Sequence, residues 1–225
     1  MRRVLVLRPE PGATATLRRA RERGLDAHAV PLFEVEPVEW TVPDPKDFDA
    51  LLLTSANAVR NGGPGLQALR ELPVHAVGEA TARVAREAGF DVATVGDWDV
   101  NRLLGSIRAN LSLLHLCGEH RTVPDRARQP ITAVPVYRSR AREGVDIGAA
   151  AGSLVLIHSS RAGARFAELV DGQAFDRRTI IIAAISRAAA EAAGSGWGAI
   201  ETAASPHDDA LLALAERLCN KSPGG

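Results

Sequence analysis

The sequence predicts an α/β protein of two similar lobes. Each lobe is a parallel sheet with helices on both faces, the two are joined by a two-stranded β hinge, and one lobe is discontinuous along the chain. Three observations carry this fold class. Short unbroken apolar runs, among them Val4-Leu5-Val6-Leu7, Leu51-Leu52-Leu53 and Leu154-Val155-Leu156-Ile157, have the composition of strands buried on both faces and alternate with stretches of helical period. The alternation repeats: residues 51–58 resemble 154–162, with Ser55 and Ser159 104 residues apart, and residues 76–82 resemble 184–190, with Gly78 and Ser186 108 apart. Two proline-bearing extended segments, residues 31–38 and 131–140, interrupt the pattern and have the form of crossings between lobes.

Each element has a local cause. The first strand, residues 4–7, is stopped by Arg8-Pro9-Glu10-Pro11-Gly12, and the amphipathic stretch from Ala13 closes at Gly24, a helix C-cap residue. A strand over 27–30 leads into the first crossing, where Pro-Leu-Phe-Glu-Val-Glu-Pro-Val alternates apolar and acidic residues with period two. Residues 39–46 carry Pro43 and Pro45 and read as a link. A strand over 48–53 then runs into a polar turn in which Thr54, Ser55 or Asn57 is a candidate helix cap. Gly62-Gly63-Pro64-Gly65 breaks that helix, which is expected to resume over 66–72. Strands are expected at 74–77, 91–95 and 111–116, helices from Gly78 to Gly89 and over 100–109, and a turn at 117–121. The second crossing, Ile-Thr-Ala-Val-Pro-Val-Tyr-Arg-Ser-Arg, is rich in β-branched and aromatic residues, and Pro135 keeps it from a central position.

Beyond it the pattern returns with the strand at 154–157, the turns at Ser159 and Ser186, and a strand at 199–202. Ser205-Pro206-His207-Asp208 has the form of a capping box with proline at the first helical position, opening a final helix through Leu211, Leu214 and Leu218. Because the first strand-helix-strand precedes the first crossing, it is expected to complete the C-terminal lobe. The lobes are then 1–37 with 141–225, and 47–130, with hinge crossings at 31–43 and 131–140.

Composition excludes several function classes. Lys plus Arg and Asp plus Glu both number 27 in 225 residues, so no net field attracts nucleic acid or an acidic membrane, and any anionic partner must be held locally. Cys117 and Cys219 lack CxxC spacing and make no disulfide framework, which suits a reducing cytoplasm. The N-terminal apolar run is four residues long, too short for a signal segment or a membrane span.

No phosphate loop, dinucleotide fingerprint, nucleophile elbow or zinc-protease motif is present, and the six histidines show no metal-ligand spacing, so no metal or cofactor is expected. What recurs is a strand ending in small polar residues at a helix N-terminus: Thr54-Ser55, Gly78 to Thr81, His158-Ser159-Ser160, and Ser186-Arg187. In open parallel sheets ligands sit at the carboxyl ends of strands, where unpaired amides and the helix dipole favour anions. Taken singly, each such turn is also explained as a helix cap; repetition in two lobes is what points to anion binding. Tyr137, the only tyrosine, lies inside the second crossing, where its ring either packs on a lobe or serves the site.

The residues that punctuate the strands resemble, in order and spacing along nearly the whole chain, the uroporphyrinogen-III synthase family. They are Arg8-Pro9, Leu52-Leu53-Thr54-Ser55-Ala56-Asn57-Ala58-Val59, Ala76-Val77-Gly78-Glu79-Ala80-Thr81-Ala82 with Gly89-Phe90, Leu116-Cys117-Gly118-Glu119, Pro135-Val136-Tyr137-Arg138, and the Ser205-Pro206 helix. The chain departs from the family's usual Thr at Leu7 and at Ala189.

The resemblance implies an enzyme that cyclises hydroxymethylbilane, a linear tetrapyrrole with eight carboxylates, to uroporphyrinogen III with inversion of ring D and loss of water, without cofactor. It implies a cytoplasmic monomer that takes its substrate from the upstream hydroxymethylbilane-producing enzyme. Carried onto this chain, the expected substrate-binding residues are Arg8, Thr54, Ser55, Asn57, Gly78, Thr81, Ser159, Ser160 and Ser186, with Tyr137 as the candidate general acid and Thr81 second to it. A non-catalytic two-lobe anion or tetrapyrrole binder of the same fold is the alternative.

Overall fold

A computed structural model describes residues 2–96, 100–121 and 124–220; the last residues assigned to the C-terminal lobe, 221–225, lie outside them. In chain order the strands are β1 (Val4–Val6), β2 (Ala27–Ala29), β3 (Phe33–Pro37), β4 (Ala50–Leu53), β5 (Val74–Val77), β6 (Val92–Gly96), β7 (Leu113–Gly118), β8 (Ile131–Ala141), β9 (Leu154–Ile157), β10 (Ile181–Ala184) and β11 (Ala199–Thr202). The helices are α1 (Gly12–Glu22), α2 (Ala56–Asn61), α3 (Glu79–Glu87), α4 (Val100–Ser106), α5 (Ser160–Gly172), α6 (Arg187–Ala193) and α7 (Asp208–Asn220). The chain forms two compact units: one joins the residues up to Glu34 with those from Ala141 onward, and the other is Val35–Arg140.

The first unit holds a five-stranded sheet in the order β11-β10-β9-β1-β2, parallel throughout. Its three inner strands, β1, β9 and β10, are short and wholly apolar because both faces are covered. Leu5, Val155, Ile157 and Ile182 pack against Phe166, Val170 and Ala189 of α5 and α6. Val4, Val6, Leu154 and Leu156 pack against Ala20 of α1 and Leu211, Leu212 and Ala215 of α7. Each such leucine or isoleucine contributes about 1.5–3 kcal/mol by leaving water, which is why period-two alternation is absent from these strands.

The second unit holds a six-stranded sheet in the order β3-β8-β7-β4-β5-β6, parallel from β8 to β6. Leu51, Leu53, Leu114 and Leu116 face α2 and α3, and Ala50, Leu52 and Leu113 face Leu103 and Leu104 of α4. The two strands expected as crossings, β3 and β8, are neighbours and extend this sheet at its edge.

The repeat has a structural counterpart. The series β4-β5-β6 corresponds to β9-β10-β11, and β7 and β8 occupy the places held by β1 and β2, so one unit is a circular permutation of the other.

Four local expectations are corrected. The segment expected as a helix over 66–72 is a 3-10 helix over Gly63–Leu69, entered through Gly63 at φ +64° and Pro64, which cannot donate to an α-helical ladder. Helix α4 ends at Ser106, not 109, where the Ser106 hydroxyl donates to the Leu103 carbonyl and the buried Gln129 amide donates to the carbonyls of Leu104, Ile107 and Arg108. Strand β7 continues through Cys117 and Gly118, which were expected in a turn, because β8 pairs with it that far. Helix α7 starts at Asp208, and Pro206 is not its first residue: the Asp208 carboxylate is drawn to charged partners described below, and the His207 amide donates to the Ser205 carbonyl.

Candidate functional site

Strand order places a switch point in each sheet. From β1 the chain moves to β2 on one side, and from β9 to β10 on the other, so the crevice of the first unit lies between β1 and β9. In the second unit the same reversal falls between β4 and β7. Ligands of open α/β sheets occupy such crevices at the carboxyl ends of the strands.

At the second unit's crevice, Leu53 of β4 pairs with Leu116 of β7, so Thr54 follows directly at the carboxyl edge. The Thr54 hydroxyl lies 3.0 Å from Nε2 of His115. His115 is 1% exposed, and burial, aided by the charge of Arg121, lowers its pKa to about 4, so the ring is neutral at pH 7. Ser55 is the cap among the three candidates: its hydroxyl accepts from the Asn57 amide at 3.2 Å and is engaged there. Asn57 stands in the first turn of α2, its carbonyl accepting from Asn61. One strand further, Gly78 precedes α3 at φ +81°, a conformation that suits glycine, with no side-chain cap. Thr81, 5% exposed, is turned to the inner side of α3, and its amide donates to the Gly78 carbonyl.

Tyr137 lies in β8 opposite Gly118, just past a register shift in the β7–β8 ladder. A methyl on Gly118 would stand 2.8 Å from Cε2 and 3.1 Å from the phenol oxygen, so the ring covers the glycine backbone and only glycine permits that approach. Thr54, Gly118 and Tyr137 thus come from adjacent strands β4, β7 and β8, at one end of one sheet.

The first unit's crevice is built differently. Arg8 follows β1, and His158, Ser159 and Ser160 follow β9. The Asp208 carboxylate, with a side chain only 9% exposed, accepts from the Thr16 hydroxyl at 3.0 Å and bonds His158 Nε2 at 2.8 Å and Arg19 at 2.5 Å, while Arg8 stands 3.6 Å away. Arg8 also donates to Thr16 at 3.3 Å, and burial pulls its guanidinium below the ordinary arginine value. Burial also lowers His158, keeping it neutral. For Asp208, burial pushes upward, but the bond from His158, the charge of Arg19 and the Thr16 hydroxyl outweigh it and hold the carboxyl below its usual value. Ser159 caps α5 by accepting from the Ala162 amide, Ser186 caps α6 by accepting from Ala189, and Ser160 stands exposed at the first position of α5.

Among the expected residues, then, Thr54, Ser55 and Asn57 gather at one crevice with Gly78 and Thr81 on the neighbouring strand and helix; Tyr137 stands two strands from them on β8, its ring packed against the apolar cluster under α2 and α3; and Arg8, Ser159 and Ser160 gather at the other crevice with Ser186 one strand away. Sequence reasoning placed His158 in a candidate turn and Asp208 in a capping box without giving either side chain a role, and it missed Thr16, Arg19 and His115. A signal existed for the histidines, since one lies inside and the other directly after an apolar run that reads as a strand buried on both faces. Among the described residues no three His, Cys, Asp or Glu side chains are grouped to hold a metal ion, and no helix is long and apolar enough to cross a membrane.

A family model described as uroporphyrinogen-III synthase HemD matches residues 14–213. A curated uroporphyrinogen-III synthase from Chlorobaculum parvum (strain DSM 263 / NCIMB 8327) is 31% identical over 101 residues, 41% of this chain and 41% of that relative's length. Among solved structures, the uroporphyrinogen-III synthetase of Helicobacter pylori 26695 matches with a TM-score of 0.66 at 19% identity over 97% of this chain and 100% of that one. A mutant uroporphyrinogen III synthase of the extremely thermophilic bacterium Thermus thermophilus matches with a TM-score of 0.58 at 19% identity over 99% of this chain and 100% of that one. At these identities the two structures speak for the fold.

Proposed function

The chain belongs to the uroporphyrinogen-III synthase family, and from that premise we propose that it is a lyase that cyclises hydroxymethylbilane to uroporphyrinogen III, with inversion of ring D and loss of water, in tetrapyrrole biosynthesis. The observation that supports this best is the placement of hydrogen-bond donors at both switch points. A hydroxyl at Thr54, the first-turn amides after Gly78 and Ser159, the Ser160 hydroxyl and the Arg8 guanidinium stand at the carboxyl ends of sheets in a chain of zero formal net charge. Such groups suit a substrate with eight carboxylates. Hydrogen bonds to charged groups contribute about 1.5–3 kcal/mol each, so a handful suffices for micromolar binding.

The Ser55, Ser159 and Ser186 hydroxyls are engaged as caps, so these positions serve the substrate through the helix amides they orient, as does Asn57 in the turn after Ser55. The linear tetrapyrrole closes unaided to the wrong isomer, and catalysis must therefore select geometry. Fixing the carboxylates holds the substituted carbon of ring D against the ring A methylene and leads through a spiro intermediate, a proximity and orientation effect. The Tyr137 phenol donates the proton with which the ring A hydroxyl leaves as water, a contribution of about 10² to 10⁴ in rate. Thr81, buried on α3, is assigned the lesser part of supporting the turn at Gly78. The protein works as a monomer in the cytoplasm, where its two free cysteines stay reduced, and receives its substrate from the enzyme that makes hydroxymethylbilane. The test is to supply hydroxymethylbilane and separate the isomers by chromatography: isomer III is expected, and isomer I alone overturns the proposal.

A further inference from the structure

The pair formed by Thr54 and His115 carries a consequence for how the second unit's crevice meets a ligand. His115 sits in β7 between Leu52 of β4 and Ala133 of β8, on the face of the sheet that α4 covers, and is 1% exposed. Its Nε2 is 3.0 Å from the Thr54 hydroxyl, and its Nδ1 is fully buried with no hydrogen-bond partner among the described residues. A neutral imidazole carries one N–H and one bare nitrogen. If the proton sat on Nδ1, a buried N–H would be orphaned and Nε2 would take the Thr54 hydroxyl proton. If it sits on Nε2, that N–H is satisfied by Thr54 and only an acceptor lone pair is left bare. Orphaned buried N–H groups are rarer in folded proteins than under-used acceptors, so the second tautomer is favoured.

We propose that His115 is a positioning residue that donates its Nε2 proton to Thr54 Oγ1, so that the Thr54 hydroxyl turns its own proton outward to a carboxylate of the tetrapyrrole at the crevice. This rests on the proposed function for the identity of the anion, but not for the tautomer. His115 is the only partner of the Thr54 hydroxyl among the described residues. The burial that keeps the ring neutral also keeps this donor unchanged across the physiological pH range. A serine or threonine hydroxyl otherwise rotates to suit its neighbours; here one lone pair is already engaged, and the rotor is biased before the ligand arrives.

Two measurements test it. In full-length protein with ¹⁵N-labelled histidine, the His115 ring resonances, assigned by their loss in His115→Gln, should show protonated Nε2 and bare Nδ1 at pH 7. Protonated Nδ1 overturns the proposal without any assay of turnover. In steady-state formation of isomer III, His115→Leu and Thr54→Val should each raise KM about tenfold, with kcat changed far less, as expected for loss of one hydrogen bond to a charged group. His115→Gln, whose amide can donate in place of the ring, should recover most of the loss, and the double variant His115→Leu/Thr54→Val should be no worse than either single change. Losses that multiply in the double variant, or a glutamine no better than leucine, overturn it. If the wild-type protein yields only isomer I, the proposed function falls while the resonances still decide the tautomer.

Discussion

Five strands of each sheet share one spatial order and one kind of switch point, yet the crevices are polar in different ways. In the first unit a histidine at the end of the central strand bonds a buried carboxylate, and two arginines and a threonine complete a charged network. In the second, a histidine inside the equivalent neighbouring strand bonds a threonine hydroxyl, and a phenol covers a glycine nearby. The origin of the difference lies in the covering helices. α7 and its counterpart by permutation, α4, both face their sheets with leucines, Leu211 and Leu212 in one and Leu103 and Leu104 in the other, but α7 opens with Asp208, whose carboxylate gathers the charged network. A shared topology thus fixes where a ligand can bind and leaves the chemistry of binding to one or two helix residues: fixed charge in one unit, oriented neutral donors in the other.

The largest expected effect breaks the charged side of this contrast. Asp208→Ala should destabilise the protein by about 3–4 kcal/mol, because Arg8 and Arg19 lose their carboxylate and His158 and Thr16 lose an acceptor. Both arginine side chains are about one-third exposed, which keeps the figure below that of a fully buried pair. Urea unfolding reads it. A loss under about 1 kcal/mol would mean that the network is a solvated surface cluster and that the crevices differ little in energy.

Next comes pH. His115 has a folded pKa of about 4 against an ordinary value of 6.5, so between these values the unfolded chain binds a proton that the folded one does not. Stability from this residue is complete above about 6.5 and is lost as pH falls toward 4, by up to about 3 kcal/mol. His158 and His75, both lowered by burial, act in the same direction, and Asp208, lowered by its partners, adds a loss only below the ordinary carboxylate range. The urea midpoint should therefore fall from about pH 7 to about pH 4.5, and less steeply in His115→Gln. An unchanged slope in that variant would place the titration elsewhere.

How much of this was legible in the sequence depends on separation along the chain. Strand runs such as Leu154-Val155-Leu156-Ile157 and the turn at Ser159 announce themselves locally, because two-sided burial and capping are decided by neighbours. The network around Asp208 does not. Thr16 and Asp208 are 192 positions apart and meet only because β1 and β9 are paired in the folded sheet. The misplaced start of α7 has the same cause: Ser205-Pro206-His207-Asp208 satisfies a local capping rule, but charged partners from distant strands and helices claim the carboxylate. Likewise Gly118 reads as a turn residue until Tyr137 of the adjacent strand is laid over it. For the candidate site, position was legible and occupancy was not: the sequence locates Ser55 and Ser159 at the strand ends, and only the fold shows that their hydroxyls are engaged in capping.

A third change sharpens the division of labour between the units. Tyr137→Phe removes one oxygen and keeps the ring over Gly118, so stability should stay within about 0.5 kcal/mol. If the phenol protonates the leaving hydroxyl, kcat should fall at least about tenfold with KM nearly constant, and the fraction of isomer I should rise as spontaneous closure competes. Arg8→Gln should do the reverse, raising KM about tenfold and sparing kcat. Should the two variants exchange these signatures, charge would belong to the reaction step and the phenol to binding.

The smallest effect tests the one feature common to both crevices. Ser55 and Ser159 stand at equivalent positions of the repeat, each in an extended conformation, each accepting a first-turn amide. Replacing either by alanine removes one acceptor from a helix N-terminus and should cost about 1 kcal/mol. The costs should be alike if capping is the whole role, because the local geometry is alike although α2 has six residues and α5 has thirteen. KM should then change by less than about threefold, since a carboxylate is expected to meet backbone amides and not hydroxyls already engaged. Urea midpoints and isomer III kinetics on the two variants suffice. A tenfold rise in KM for Ser159→Ala, with none for Ser55→Ala, would show that the first unit's serine leaves its cap to bind substrate. The charged crevice would then recruit a side chain that the neutral crevice keeps for its helix, extending the difference between the units from their helices to the one turn they share.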